Sequence, residues 1–151
     1  MNESFMKEAL RLAYESAQEG EVPVGAVVVL GDEIVGRGRN RRETGKNALA
    51  HAELEAIDEA CRKLGGWRLW QCDMFVTLEP CPMCTGAIIN SRIKKLVYGA
   101  SDYKAGSCGS VVNLFDLPYN HRPEVVSGFM QEECSAILTD FFRELRNKKK
   151  T

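Results

Sequence analysis
The chain has 151 residues, 44% of them hydrophobic and 27% charged, and a formal net charge of -1. Those values suit one globular domain, spanning 1–151, with one buried core; no apolar run nears the length of a membrane span. Met1-Asn2-Glu3-Ser4-Phe5 lacks the basic-then-apolar order of a signal peptide, so a cytoplasmic protein is expected, with its six cysteines as thiols or metal ligands and not disulfides.

Residues 3 to about 19 read as a helix, with Phe5, Met6, Ala9, Leu10, Ala13 and Ala17 at helical spacing and Gly20 as a stop. Val24 to Leu30 is a β-branched run, Gly31-Asp32 a turn, and Ile34-Val35 starts a returning strand. Asn40 to Asn47 is a polar loop. A helix follows from about His51 to Leu64 and ends at Gly65-Gly66. Met74 to Leu78 is a strand that leads into Glu79-Pro80, and a helix covers about Pro82 to Ser91. Leu96-Val97-Tyr98 is a further strand, 100–110 a loop rich in Gly and Ser, and Val125-Val126 a short strand. The last helix runs from about Gln131 to Asn147, with Cys134, Ile137, Leu138, Phe141, Phe142 and Leu145 on one stripe. Strand and helix alternate after residue 68, the pattern of an α/β sheet with helices on its faces.

Two short motifs carry chemistry: His51-Ala52-Glu53, and Pro80-Cys81-Pro82-Met83-Cys84. In mid-helix, side chains two apart point to nearly opposite sides. His51 and Glu53 can therefore cooperate only at a helix beginning. Cys81 and Cys84, three apart, share one face of a first turn, where the prolines are tolerated. Two helix N-termini are thus expected to converge, their free N–H groups favouring thiolates. One imidazole and two thiolates make three zinc ligands with a fourth position open, the arrangement of a catalytic zinc site. Glu53 is left over as a proton carrier. A structural zinc site is the alternative and would need a fourth ligand; His121 and Cys108 are the candidates. The metalloprotease pattern H-E-x-x-H is absent, since Glu55 stands at its second histidine.

Charge is uneven. Arg143, Arg146, Lys148, Lys149 and Lys150 crowd the C-terminus, and Arg37, Arg39, Arg41 and Arg42 form a second basic group. Such patches are the electrostatic footprint of a nucleic-acid partner. Taken alone, the C-terminal group is more readily a solvated helix end.

The order His-x-Glu then Pro-Cys-x-x-Cys matches the signature of the zinc-dependent nucleobase deaminases. Nearly end to end, the chain further resembles the bacterial tRNA adenosine deaminases of the cytidine and deoxycytidylate deaminase superfamily. The resemblance runs through Gly20-Glu21-Val22-Pro23-Val24-Gly25-Ala26, Arg39-Asn40-Arg41-Arg42-Glu43, Gly66-Trp67-Arg68-Leu69, Thr77-Leu78-Glu79, Asn120-His121-Arg122 and Phe141-Phe142-Arg143. It implies a cytidine-deaminase-like, three-layer α/β/α sandwich around a mixed five-stranded sheet, and a homodimer with one Zn2+ per subunit. It also implies hydrolytic conversion of adenosine to inosine at the wobble position, 34, of tRNA-Arg(ACG). By the same resemblance His51, Cys81 and Cys84 bind zinc and Glu53 shuttles protons. Asn40 bonds the flipped base and Val24 packs on it. Ala52, Arg42, Lys104, Asn120, His121, Arg122, Phe142 and Arg146 meet the anticodon stem-loop. Plainer readings stand beside these: Asn40 can be a turn former, Val24 strand core and His121 a loop hydrogen-bonder. Glu79, just before Pro80-Cys81, is read as structural or as a support for the metal ligands, and not as catalytic. Arg39 before Asn40, and Tyr103 and Ala105 in the 102–106 loop, depart from the family's usual residues. The rival functions are a free-base or nucleotide deaminase of guanine or cytidine type, which needs no basic helix, and a non-catalytic zinc-stabilised RNA-binding module, which needs no Glu53.

Overall fold
The computed structural model describes residues 2–149; Lys150, counted above in the basic C-terminus, lies outside them. The chain forms α1 (Glu3–Gln18), β1 (Gly25–Leu30), β2 (Glu33–Arg39), α2 (Ala52–Leu64), β3 (Cys72–Leu78), α3 (Pro82–Ser91), β4 (Lys95–Ala100), β5 (Glu124–Val126) and α4 (Gln131–Lys149). A 3-10 turn, Leu114–Asp116, was not foreseen. The strands form one sheet in the order β2-β1-β3-β4-β5. β1 is antiparallel to both β2 and β3, whereas β3, β4 and β5 run parallel. This is the expected mixed five-stranded sheet. Among the described residues no helix is long and apolar enough to cross a membrane.

Period-two alternation along the strands separates two cores. Ala26, Val28, Met74, Val76, Leu96 and Tyr98 face α2 and α3, together with Ala52, Ala56, Ala60 and Ile88. Val27, Val29, Phe75 and Val97 face the other way, onto Met6, Ala9 and Leu12 of α1 and Cys134 of α4. Helices on both faces complete the three-layer α/β/α sandwich.

β2 runs four residues beyond the Ile34-Val35 seen in the sequence. Its outward positions are Arg37 and Arg39, and its inward ones Gly36 and Gly38. The glycines are needed because α2 lies almost on the sheet. A Cβ on Gly36 would sit 2.1 Å from the Ala56 carbonyl oxygen, and one on Gly38 2.0 Å from that of Ala52. The alanines at 52, 56 and 60 make the helix side of this approach. Small residues on both partners therefore set the height at which α2 begins, and with it the position of His51. The ends of α1 and α2 follow the glycines: Gly20 has φ 80° and Gly65 φ 74°.

β2 and β5 are the two edges of the sheet. β2 is bulged against β1 at Val28/Val29 and carries charged outward side chains, while β5 is three residues long.

Gly38→Ala is expected to push α2 off the sheet and to cost about 1–3 kcal/mol, as overpacking of a tight contact does. Chemical denaturation checks this; unchanged stability would mean that the close approach is not needed.

Candidate active site
His51 is the N-cap of α2, with extended backbone (φ -93°, ψ 149°), and Cys81 is the N-cap of α3 (φ -74°, ψ 175°) with Pro82 at the first helical position. Neither side chain caps its own helix, so both are free to turn toward each other. His51 Nδ1 lies 3.6 Å from Cys81 Sγ and 3.6 Å from Cys84 Sγ. Ligand atoms of the three residues fall within 4.8 Å of one another, a group that could hold a metal ion. The spacing fits: zinc bonds of about 2.0 Å to nitrogen and 2.3 Å to sulfur, at a tetrahedral angle, separate N from S by about 3.5 Å. Among the described residues no fourth ligand joins the group. Of the two sequence candidates, His121 is hydrogen-bonded through Nε2 to the Ile93 carbonyl oxygen (2.7 Å), and Cys108 meets the Thr85 hydroxyl (3.3 Å).

The group is electrostatically set for a thiolate. Hydrogen bonding from the Cys84 thiol pulls Cys81 down to about 4, against the effect of burial, and His51 adds to the pull. The same bond to Cys81 pushes Cys84 up, and Cys81 raises His51. Glu53, two residues into α2, is 4% exposed. Burial pushes its carboxyl up to about 7, partly offset by hydrogen bonds from its own backbone N–H and the Cys84 thiol. Such a carboxyl is poised to take and return a proton near neutral pH.

A cavity of about 190 Å³ opens on this group. Val24, Asn40, Arg42 and Ala52 line it, together with His51, Glu53, Glu79 and Cys81. Val22, Leu78, Asp102 and Ala105 line it as well; none of them has a site role in the sequence reading, although Ala105 marked a departure from the family's usual residues. Asn40 both forms a turn and faces the cavity. Its Oδ1 accepts from Arg42 N (3.1 Å) and its Nδ2 donates to Val22 O (3.0 Å), which leaves further hydrogen-bonding capacity on the same amide. Lys104 stands between the two cavity residues of the 102–105 loop, its N–H on Asp102 Oδ1 (3.0 Å).

Glu79 lines the cavity and at the same time holds a loop. It is 2% exposed, and its carboxylate accepts from the backbone N–H groups of Asp102, Cys108 and Ser110 (3.0–3.1 Å) and from the Ser110 hydroxyl (2.5 Å). One buried side chain thus ties the Gly/Ser-rich loop to the end of β3. Gly106 lies so close that a Cβ there would meet the Glu79 carboxyl carbon at 2.4 Å.

Three of the four clustered arginines are neutralised. Arg37 pairs with Glu8 (2.7 Å), Arg39 with Glu19 (2.5 Å) and Glu15 (3.6 Å), and Arg41 with Glu55 (3.0 Å). Only Arg42 of that group lines the cavity, and its charge acts on buried Glu21. The C-terminal group is better placed. Glu3 of α1 lines one hollow with Gly128 to Ser135, and Tyr14 and Ala17 line another with Ile137 to Glu144. The two helices therefore run the same way, and α4 carries Phe142, 41% exposed, and Arg146 toward the cavity end of the sheet. Asn120, His121 and Arg122 do not join the site. They precede β5 beside Ile93, at the start of β4, and Arg122 pairs with Asp116 (2.9 Å). The cavity sits past the other end of the parallel strands, about 17 Å along β4.

The family model for MafB19-like deaminases matches residues 1–146. The chain is 52% identical over 150 residues to a tRNA-specific adenosine deaminase of Bacillus subtilis (strain 168), an alignment covering 99% of this chain and 93% of that protein. This chain belongs to the tRNA-specific adenosine deaminase family. A tRNA-specific adenosine deaminase of Haemophilus influenzae is 46% identical over 99% of this chain and 87% of its own. Among solved structures, one from a study of A-to-I editing by tRNA:A34 deaminases superposes with a TM-score of 0.88 at 43% identity, covering 91% of this chain and all of that one. A guanine deaminase from Nitrosomonas europaea superposes with a TM-score of 0.75 at 25% identity over 93% of this chain and 84% of its own.

For this deaminase, Glu79→Ala is expected to orphan the loop amides of 102, 108 and 110. The expected cost is roughly 1–3 kcal/mol, with faster hydrogen exchange confined to 101–113. Exchange unchanged in that loop would refute the tether.

Proposed function
We propose that this chain hydrolyses adenosine to inosine at position 34, the first anticodon position, of tRNA-Arg(ACG), as one zinc-dependent deaminase domain in the cytoplasm. The observation that carries this is the juxtaposition of a three-ligand group, open at its fourth position, with a buried carboxyl on the floor of a cavity that also holds Asn40 and Arg42. His51, Cys81 and Cys84 would hold one Zn2+ per subunit, which when bound supplies a hydroxide equivalent near neutral pH.

The chain's own residues do the rest. Glu53 takes a proton from the attacking water and delivers it to a ring nitrogen. A C–O bond forms at the amidine carbon, a second transfer carries the new hydroxyl's proton through Glu53 to the exocyclic amine, and the C–N bond breaks to release ammonia as the carbonyl forms. Val24 and Ala52 pack on the base while Asn40 bonds its edge, as a base lifted out of its stack requires. Arg42 and Lys104, with Phe142 and Arg146 of α4, hold the phosphates and neighbouring bases of the anticodon loop. Asn120, His121 and Arg122 serve this reading from a second copy in a homodimer or on RNA beyond the loop.

The test is deamination of an arginine anticodon stem-loop carrying adenosine at its first anticodon position, with free adenosine, guanine and cytidine alongside. Inosine in the stem-loop alone is expected. Turnover of guanine only would transfer the activity to the class of the Nitrosomonas neighbour. Glu53→Gln is expected to keep its metal while turnover falls by about 10²–10⁴ or more, whereas Cys84→Ala is expected to lose the metal. Metal content measured beside the rate separates the two, and an active Glu53→Gln protein would remove the proton shuttle.

A further inference from the structure
Glu21 is 1% exposed, lies outside the metal group, and has no part in the mechanism above. It follows Gly20, where α1 has just ended, and its N–H donates to Ser16 O (2.9 Å). Both oxygens of its carboxylate face the loop between β2 and α2. Oε1 accepts from Glu43 N (3.1 Å) and Oε2 from Thr44 N (2.6 Å), and the Thr44 side chain helps these amides hold the carboxyl below its ordinary range, against the effect of burial.

That loop is a helical turn in miniature. Gly45 N donates to Arg41 O (2.7 Å) and Asn47 N to Arg42 O (3.1 Å). Glu43 and Thr44 supply the N–H groups that such a turn leaves without internal partners at its start, and Glu21 caps them from another part of the chain. Around it the same two segments are laced together. Ser16 Oγ donates to Asn40 O (2.8 Å), Asn40 N to Val24 O (3.0 Å), and Asn40 Nδ2 to Val22 O (3.0 Å). Arg42 sits between the two clamps, its N–H on Asn40 Oδ1 and its next two residues on Glu21. These bonds fix the backbone around Arg42, whose side chain lines the cavity with His51.

We infer that Glu21 is a positioning residue: by capping the 41–47 turn it presets Arg42 to meet the substrate's phosphate backbone before the RNA arrives. The inference rests on the RNA reading of the cavity given above. Preset contacts spare the ordering cost that a mobile loop meets on binding, so the loss is expected in KM and not in kcat.

The experiment is a double-mutant cycle with Glu21→Gln and Arg42→Ala on the anticodon stem-loop, with full-length holoenzyme throughout. Glu21→Gln is expected to raise KM about tenfold with kcat within about twofold, and to flatten the dependence of log KM on log salt toward that of Arg42→Ala. The double variant is expected to be no worse than the worse single one, because both remove the same contact. Multiplying effects, or a fall in kcat at unchanged KM, would overturn the inference. Thr44→Val, which deletes only the hydroxyl, is the milder variant should Glu21→Gln fold poorly; it is expected to move KM the same way by less, and an unchanged KM there counts against the clamp. Hydrogen exchange at the amides of 43 and 44 reads the clamp without any substrate. Faster exchange in Glu21→Gln is expected even if the wild-type protein proves inactive on RNA, and unchanged exchange would overturn the clamp whatever the enzyme does.

Discussion
Two helices have to begin at the same place. The three ligand-bearing atoms of His51, Cys81 and Cys84 come within 4.8 Å of one another because α2 and α3 both start at one end of the sheet, on the same face of it. The helix starts are fixed from below. α2 is held at its height by glycine in β2 against alanine in the helix, and α3 follows β3 after only Glu79, Pro80 and Cys81. Burial then acts on what lies between. The amides of two first turns favour a thiolate, while Glu53 loses enough solvent that its carboxyl rises to about 7. The same placement thus holds a metal group together and tunes the proton carrier beside it.

The rim of the cavity depends on a second device, used twice. Glu21 and Glu79 are buried acids whose carboxylates are spent on loop amides. One holds 41–47 and the other 101–110. Polar groups inside a protein are costly unless bonded, and here each carboxylate uses that cost to single out one loop conformation. The sheet below them is built from aliphatic packing, but the shape of the opening is set by hydrogen bonds.

Much of this was legible in the sequence. His51-Ala52-Glu53 with Cys81 and Cys84 located the site, since spacing along a helix start is a local property. The helices were legible from their periodicity and their glycine stops. What stayed hidden was non-local. β2 escaped beyond Val35 because Gly36-Arg37-Gly38-Arg39 alternates glycine with arginine, and inward glycine makes sense only once α2 is known to lie against it. Arg37, Arg39 and Arg41 read as a basic patch, but their carboxylate partners lie on α1 and α2, up to 29 residues away. Asn120, His121 and Arg122 were joined to the site by family likeness, whereas strand direction puts them at the far end of the same chain. Glu21 gave no signal beyond its neighbours, because a buried acid announces itself only through the amides it meets.

The borders of the sheet bear on how copies of this chain can assemble. An open strand edge offers unpaired amides and carbonyls to another sheet, and proteins blunt such edges with charge, irregularity or brevity. β2 has the first two of these and β5 the third. Continuous strand addition across either border is thereby disfavoured. Contact with another molecule is left to helices and loops, the same elements from which most of the cavity lining is drawn.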